Sequence, residues 1–172
     1  IMAGSSNIQG SNFGANSFEV TNVGDKKISA VFIDASTALY QDSVFDPDGQ
    51  GGDSTAKSWA VNNAGNTGGF VTGTGYFLPG QDPLPNNTGI GIDSNGGFKG
   101  AMVKFNPNVA DGFNSGETVG VAGDMDPNSI AGLTKASVDG TAIDSWDVGG
   151  ISGHELIGAS FTVLFDDGTT AS

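Results

Sequence analysis

The sequence predicts an all-β fold, an antiparallel β-sandwich of jelly-roll or Ig-like topology with at most one short helix, and three observations predict it. Apolar residues alternate with polar ones at period two in several windows, turn formers bound each window, and no window holds helical spacing over a helix length. Composition agrees: 29 Gly and 6 Pro mark frequent turns, while 37% hydrophobic residues are enough for a packed core. A length of 172 residues suits one domain, 1–172, with residues 1–6 read as a linker or expression remnant.

The elements follow in order. Phe18 and Val20 alternate with Glu19 and Thr21 ahead of the turn "NVGDKK", and Ile28, Ala30 and Phe32 continue beyond it, which predicts a hairpin. Ala101, Val103 and Phe105 alternate with Met102 and Lys104, Val119 and Val121 follow the turn "NSGET", and Phe161, Val163 and Phe165 precede "DDGTT". Each of these reads as a strand. Helix is confined to "DPNSIAGL", where Pro127 suits a first helical position with Asp126 as its cap. Residues 62–98, dense in Gly and Asn and poor in alternation, read as long loops, and ordered loops of that length are suspects for function.

Six Lys, no Arg and 19 acidic residues set a net charge of −13. That charge repels phosphate backbones, anionic membrane surfaces and highly anionic polysaccharides, and there is no guanidinium fork for carboxylate or sulfate. Nucleic acid is excluded as a partner; neutral glycans, cations and basic proteins remain. The absence of Cys removes thiolate catalysis and Cys-ligated zinc. Apolar runs such as "AVFI" at 30–33 are too short to cross a bilayer, and "IMAGSS" is not a secretory signal. The abrupt start reads as an excised module or an expression fragment, with any signal peptide removed.

Two acidic segments could hold calcium. In "VFDPDGQGGDSTAKSWAV", residues 44–61, Asp46, Asp48 and Gly51 match the first, third and sixth positions of an EF-hand loop, but Gln50 and Lys57 fail the fifth and twelfth. Another calcium geometry using Asp46, Asp48 and Asp53 stays open beside the plain alternative of solvated Asx turns. In "GDMDPNSIAG", Asp124 and Asp126 project to one side of an extended segment, where a calcium ion, Lys135 or a helix-capping role for Asp126 would answer their repulsion. Asp34 and the closing "FDDG" are weaker candidates of the same kind.

Trp59, Trp146, Tyr40 and Tyr76 carry a flat ring with a polar handle, which suits the C–H faces and hydroxyl rim of a sugar, although most such rings serve a core. Asn62, Asn63 and Asp82 lie near them in the chain, and Asp144 and Asp147 flank Trp146. His154, the single histidine, stands beside Glu155 with no nucleophile elbow in the sequence, so a catalytic triad is not expected. With three Glu, a carboxylate pair for glycoside hydrolysis is a minor reading. Asn86 to Thr88 forms a glycosylation sequon.

The segments "SFEVTNVGDKKISAVFIDAS", "VFDPDGQGGDSTAK", "GDMDPNSIAG" and "SGHELIGASFTVLFDDGT" together resemble β-sandwich modules of secreted, often marine, bacterial polysaccharide-degrading proteins. Such modules look like carbohydrate-binding modules, non-catalytic domains that hold an attached enzyme on its polymer. The resemblance implies a structural calcium, for which Asp46, Asp48, Asp53, Asp124 and Asp126 would supply ligands, and a glycan face drawn from Trp59, Trp146, Tyr76, Tyr40, Asn62, Asn63 and Asp82. It also implies a secreted, monomeric module that takes neutral or weakly charged algal or plant polysaccharide beside an attached catalytic domain. The alternative is a calcium-stiffened structural or adhesive module of a bacterial cell-surface protein.

Overall fold

The computed structural model describes residues 18–47, 60–62, 71–77, 97–106, 112–130, 151 and 155–172. These residues form an all-β fold of antiparallel strands, and no α-helix occurs among them. The strands are β1 (Phe18–Thr21), β2 (Ile28–Asp34), β3 (Ser43–Phe45), β4 (Ala60–Asn62), β5 (Val71–Phe77), β6 (Gly100–Phe105), β7 (Thr118–Ala122), β8 (Met125–Pro127), β9 (Ser160–Phe165) and β10 (Thr170–Ala171). They pair into a five-stranded sheet of order β10-β9-β2-β6-β5, a three-stranded sheet β1-β7-β4 and a two-stranded ladder β3-β8.

One apolar cluster joins all three sheets. Phe18, Val119 and Val121 enter it from the three-stranded sheet, Val31, Ile33, Val103 and Phe105 from the five-stranded one, and Phe45 and Met125 from the ladder. Phe105 and Phe113 pack with ring centroids 4.6 Å apart and planes tilted by 46°, avoiding the face-to-face sandwich that aromatic quadrupoles disfavour. A smaller cluster of Ala30 and Phe32, with Met102 and Leu164 half-buried beside it, occupies the other face of the five-stranded sheet.

Three expectations about the strands are corrected. The first concerns the hairpin: β1 pairs with β7 and β2 pairs with β6 and β9, so residues 22–27 carry the chain from one sheet to another. Asn22 fixes this crossing, its side-chain amide donating to the carbonyls of Lys26 at 2.8 Å and Phe113 at 3.0 Å. The second concerns phase. A register shift between Ile28 and Ala30 reverses the alternation, so Ile28, Val31 and Ile33 face the main core while Ala30 and Phe32 face the smaller cluster. The third is that residues 60–62 and 71–77, inside or bordering the expected loops, are strands, β5 pairing along β6 at the sheet edge.

Two short 3₁₀ turns complete the described chain, Ala35–Thr37 and Asn128–Ile130. Asp126 does not cap the second, because it belongs to β8 opposite Val44. The Asp42 carboxylate takes that role from a different segment, accepting from the Ser129 amide at 3.0 Å and from its hydroxyl. The expected turn before β7 forms around Gly116, whose φ of 84° is strained for any residue with a Cβ.

Candidate functional site

Three of the five proposed calcium ligands meet on the β3-β8 ladder. Phe45 lies opposite Met125 and Val44 opposite Asp126, and the pairing runs one residue further, where the Asp46 amide donates to the Asp124 carbonyl at 3.0 Å. Side chains alternate along a strand, so Phe45 and Met125 take the core face while Asp46, Asp124 and Asp126 share the opposite one. All three acids are buried, with exposures of 0%, 6% and 1%.

Packing closes the flank of this ladder. Phe45 exchanges two backbone hydrogen bonds with Phe98, at 2.8 and 2.9 Å, which draws Gly97 against β3. A Cβ at Gly97 would lie 2.4 Å from the nearest methyl of Val44, so the approach needs glycine.

Directly opposed like charges repel, and an ionised carboxylate buried this deeply costs several kcal/mol unless its charge is met. A proton, hydrogen-bond donors or a cation can meet it. Carboxylate oxygens are the donors that calcium prefers, about six to eight per ion. Among the described residues, no group of three or more His, Cys, Asp or Glu is arranged to hold a metal ion. Asp48 and Asp53 lie outside the described residues, on the segment that leaves Asp46.

The weaker acidic candidates have structural tasks. Asp34 accepts from the Ser36 amide at 2.8 Å and caps the first 3₁₀ turn. Asp167 pairs with Lys26 at 2.7 Å, and hydrogen bonds from Lys26 first and Thr169 second hold its carboxyl well below the usual carboxylate range.

Of the expected glycan-face residues, Trp59, Asn63, Asp82 and Trp146 lie outside the described residues, as do His154 and Lys135. Asn62 ends β4 opposite Gly120, and Tyr76 stands in β5 opposite Ala101, in the register row that also carries Ile33 and Phe161. Tyr40 is half-exposed; burial first, then the nearby Asp42 and Glu155 carboxylates, push its phenol pKa up.

The structure adds two neighbours that sequence reasoning missed, Leu39 at 78% and Ile157 at 60% exposure. The Leu39 amide donates to the Ile157 carbonyl at 2.7 Å and the Tyr40 amide to the Glu155 carbonyl at 3.3 Å, so two distant segments present these side chains together. Nothing in the sequence separates them from buried aliphatics in similar turn-rich surroundings, such as Ile151.

No helix among the described residues is long and apolar enough to cross a membrane. Compared with known proteins, the chain matches no family model, no curated sequence and no solved structure.

Proposed function

We propose that this chain is a non-catalytic carbohydrate-binding module, a β-sandwich secreted as part of a bacterial polysaccharide-degrading protein. It would hold an attached catalytic domain on a neutral or weakly charged algal or plant polysaccharide. The observation that supports this reading is the buried acidic ladder, which lies at the root of the segment carrying Trp59, Asn62 and Asn63. Asp46, Asp124 and Asp126, with Asp48 and Asp53, would hold a structural calcium ion, whose preference for carboxylate oxygens they suit. The chain's own residues do the recognition: Trp59 and Trp146 stack on sugar faces, while Asn62, Asn63 and Asp82 hydrogen-bond ring hydroxyls. No bond is made or broken.

The test is retention of the protein on insoluble agarose, xylan, cellulose, chitin and β-1,3-glucan, in calcium and then in chelator. Saturable retention on one polymer without release of reducing sugar, lost in chelator, is the expected result. Retention on none of them favours the calcium-stiffened adhesive module, to which the same acidic ladder lends support, and release of sugar makes the protein a glycosidase.

A further inference from the structure

We infer that Leu39, Tyr40 and Ile157 form a docking ledge for a cationic, apolar segment of a partner protein, which gives Tyr40 this task in place of a glycan contact. Among the described residues, exposed large apolar side chains are few, and three of the four gather here; the fourth, Val23, belongs to the turn after β1. Exposed aliphatic groups cost solvation unless something covers them, and clusters of them mark interaction surfaces more often than scattered ones do.

The ledge is held in place before any partner arrives. Besides the two backbone bonds to residues 155 and 157, the Ser43 amide and hydroxyl both donate to the Tyr40 carbonyl, at 3.2 and 2.9 Å. The Lys99 ammonium donates to the carbonyls of Gln41 and Ser43, and the Asn128 amide to that of Asp42 at 2.8 Å. A loop pinned this way loses little further entropy on binding, so its apolar surface is available as contact free energy.

Charge selects the occupant. Asp42 follows Tyr40 by two residues and Glu155 is the residue whose carbonyl accepts from the Tyr40 amide, so among the described residues two acids stand by the ledge against the one ammonium of Lys99, in a chain of net charge −13. The Asp42 carboxylate already accepts from the Ser129 amide and hydroxyl, so it offers a partner an electrostatic field more than a free, directed acceptor. A sugar needs directed acceptors, whereas a Lys or Arg beside aliphatic side chains needs only the field and the apolar contact. Two of the three ledge side chains are aliphatic, which also suits a protein segment better than a pyranose ring.

The experiment titrates the ¹⁵N-labelled protein with a short peptide of alternating Leu and Lys, with its Leu and Glu counterpart, and with cello-oligosaccharide. The expected result is a set of saturable shifts at the amides of Leu39, Tyr40, Gln41 and Ile157 with the Lys peptide alone. The double variant Leu39→Ser, Ile157→Ser, its circular dichroism unchanged, should weaken that binding at least about tenfold. Glu155→Gln, which keeps the carbonyl that Tyr40 uses, should weaken it a few-fold and flatten its salt dependence. Equal binding by the double variant, shifts scattered over the whole acidic surface, or no binding of the Lys peptide would overturn the proposal. Shifts at these amides with the oligosaccharide would return the ledge to the glycan face.

Discussion

Asn22 shows how much one polar side chain can decide. In sequence it is a turn former; in the structure it is 3% exposed and its amide bridges two carbonyls while its Oδ1 accepts from the Gly24 amide at 3.1 Å. Asn22→Ala should cost about 2–3 kcal/mol in urea unfolding, since a net contribution of about 1 kcal/mol per bond is lost and the buried Phe113 carbonyl is left without this donor. A cost under half that would mean water replaces the amide. At the exposed Lys26–Asp167 pair the effect is smaller and depends on pH. Asp167 titrates lower in the folded chain than unfolded, so its contribution is complete above the unfolded value of about 3.9 and fades as pH falls below it. Lys26, raised by its hydrogen bond to Asp167, loses its share only as pH climbs past about 10.4. The melting-temperature gap between wild type and Asp167→Asn should therefore be present at neutral pH, narrow below about pH 4 and shrink in salt. A gap constant over that range would assign it to the turn geometry instead.

At the level of elements, strand identity was legible where alternation was apolar, and phase was not. β1, β2, β6, β7 and β9 all coincide with the alternating windows, because a half-buried strand must carry its apolar residues at period two. A single bulge in β2 then exchanged which of its residues meet the main core, and such a shift follows from pairing with β9, far along the chain. β5 was hidden because Gly73 and Gly75 fill positions where a side chain would have revealed the alternation. The acidic ladder carries the element-scale prediction. Calcium saturation should raise the melting temperature by about 5–10 °C, since an ion at about a hundred times its dissociation constant contributes about 2.7 kcal/mol to a domain of this size. Asp46→Asn with Asp124→Asn should abolish that response to calcium. Were the double variant to melt higher than wild type and ignore calcium, relief of charge repulsion alone would explain the ladder.

For the whole molecule, the proposed glycan face is tested at its two Trp residues. Trp59→Ala and Trp146→Ala should each reduce retention on the bound polymer by about 1–3 kcal/mol of affinity, roughly five- to 150-fold, with melting temperature unchanged. Full retention in both variants would remove these rings from the site. Composition alone established an acidic, cysteine-free chain with turns too frequent for helix, because those properties depend on how many residues of each kind are present and how they alternate. The strand pairings are another matter. β3 meets β8 across some eighty residues, and only that pairing turned two separate acidic segments into one buried face. Leu39 and Ile157 likewise became one ledge through a backbone hydrogen bond between distant segments. Local periodicity states which residues can lie in a strand, but the partner of that strand is chosen by the packing of the entire core, and the acidic ladder exists only through such a pairing.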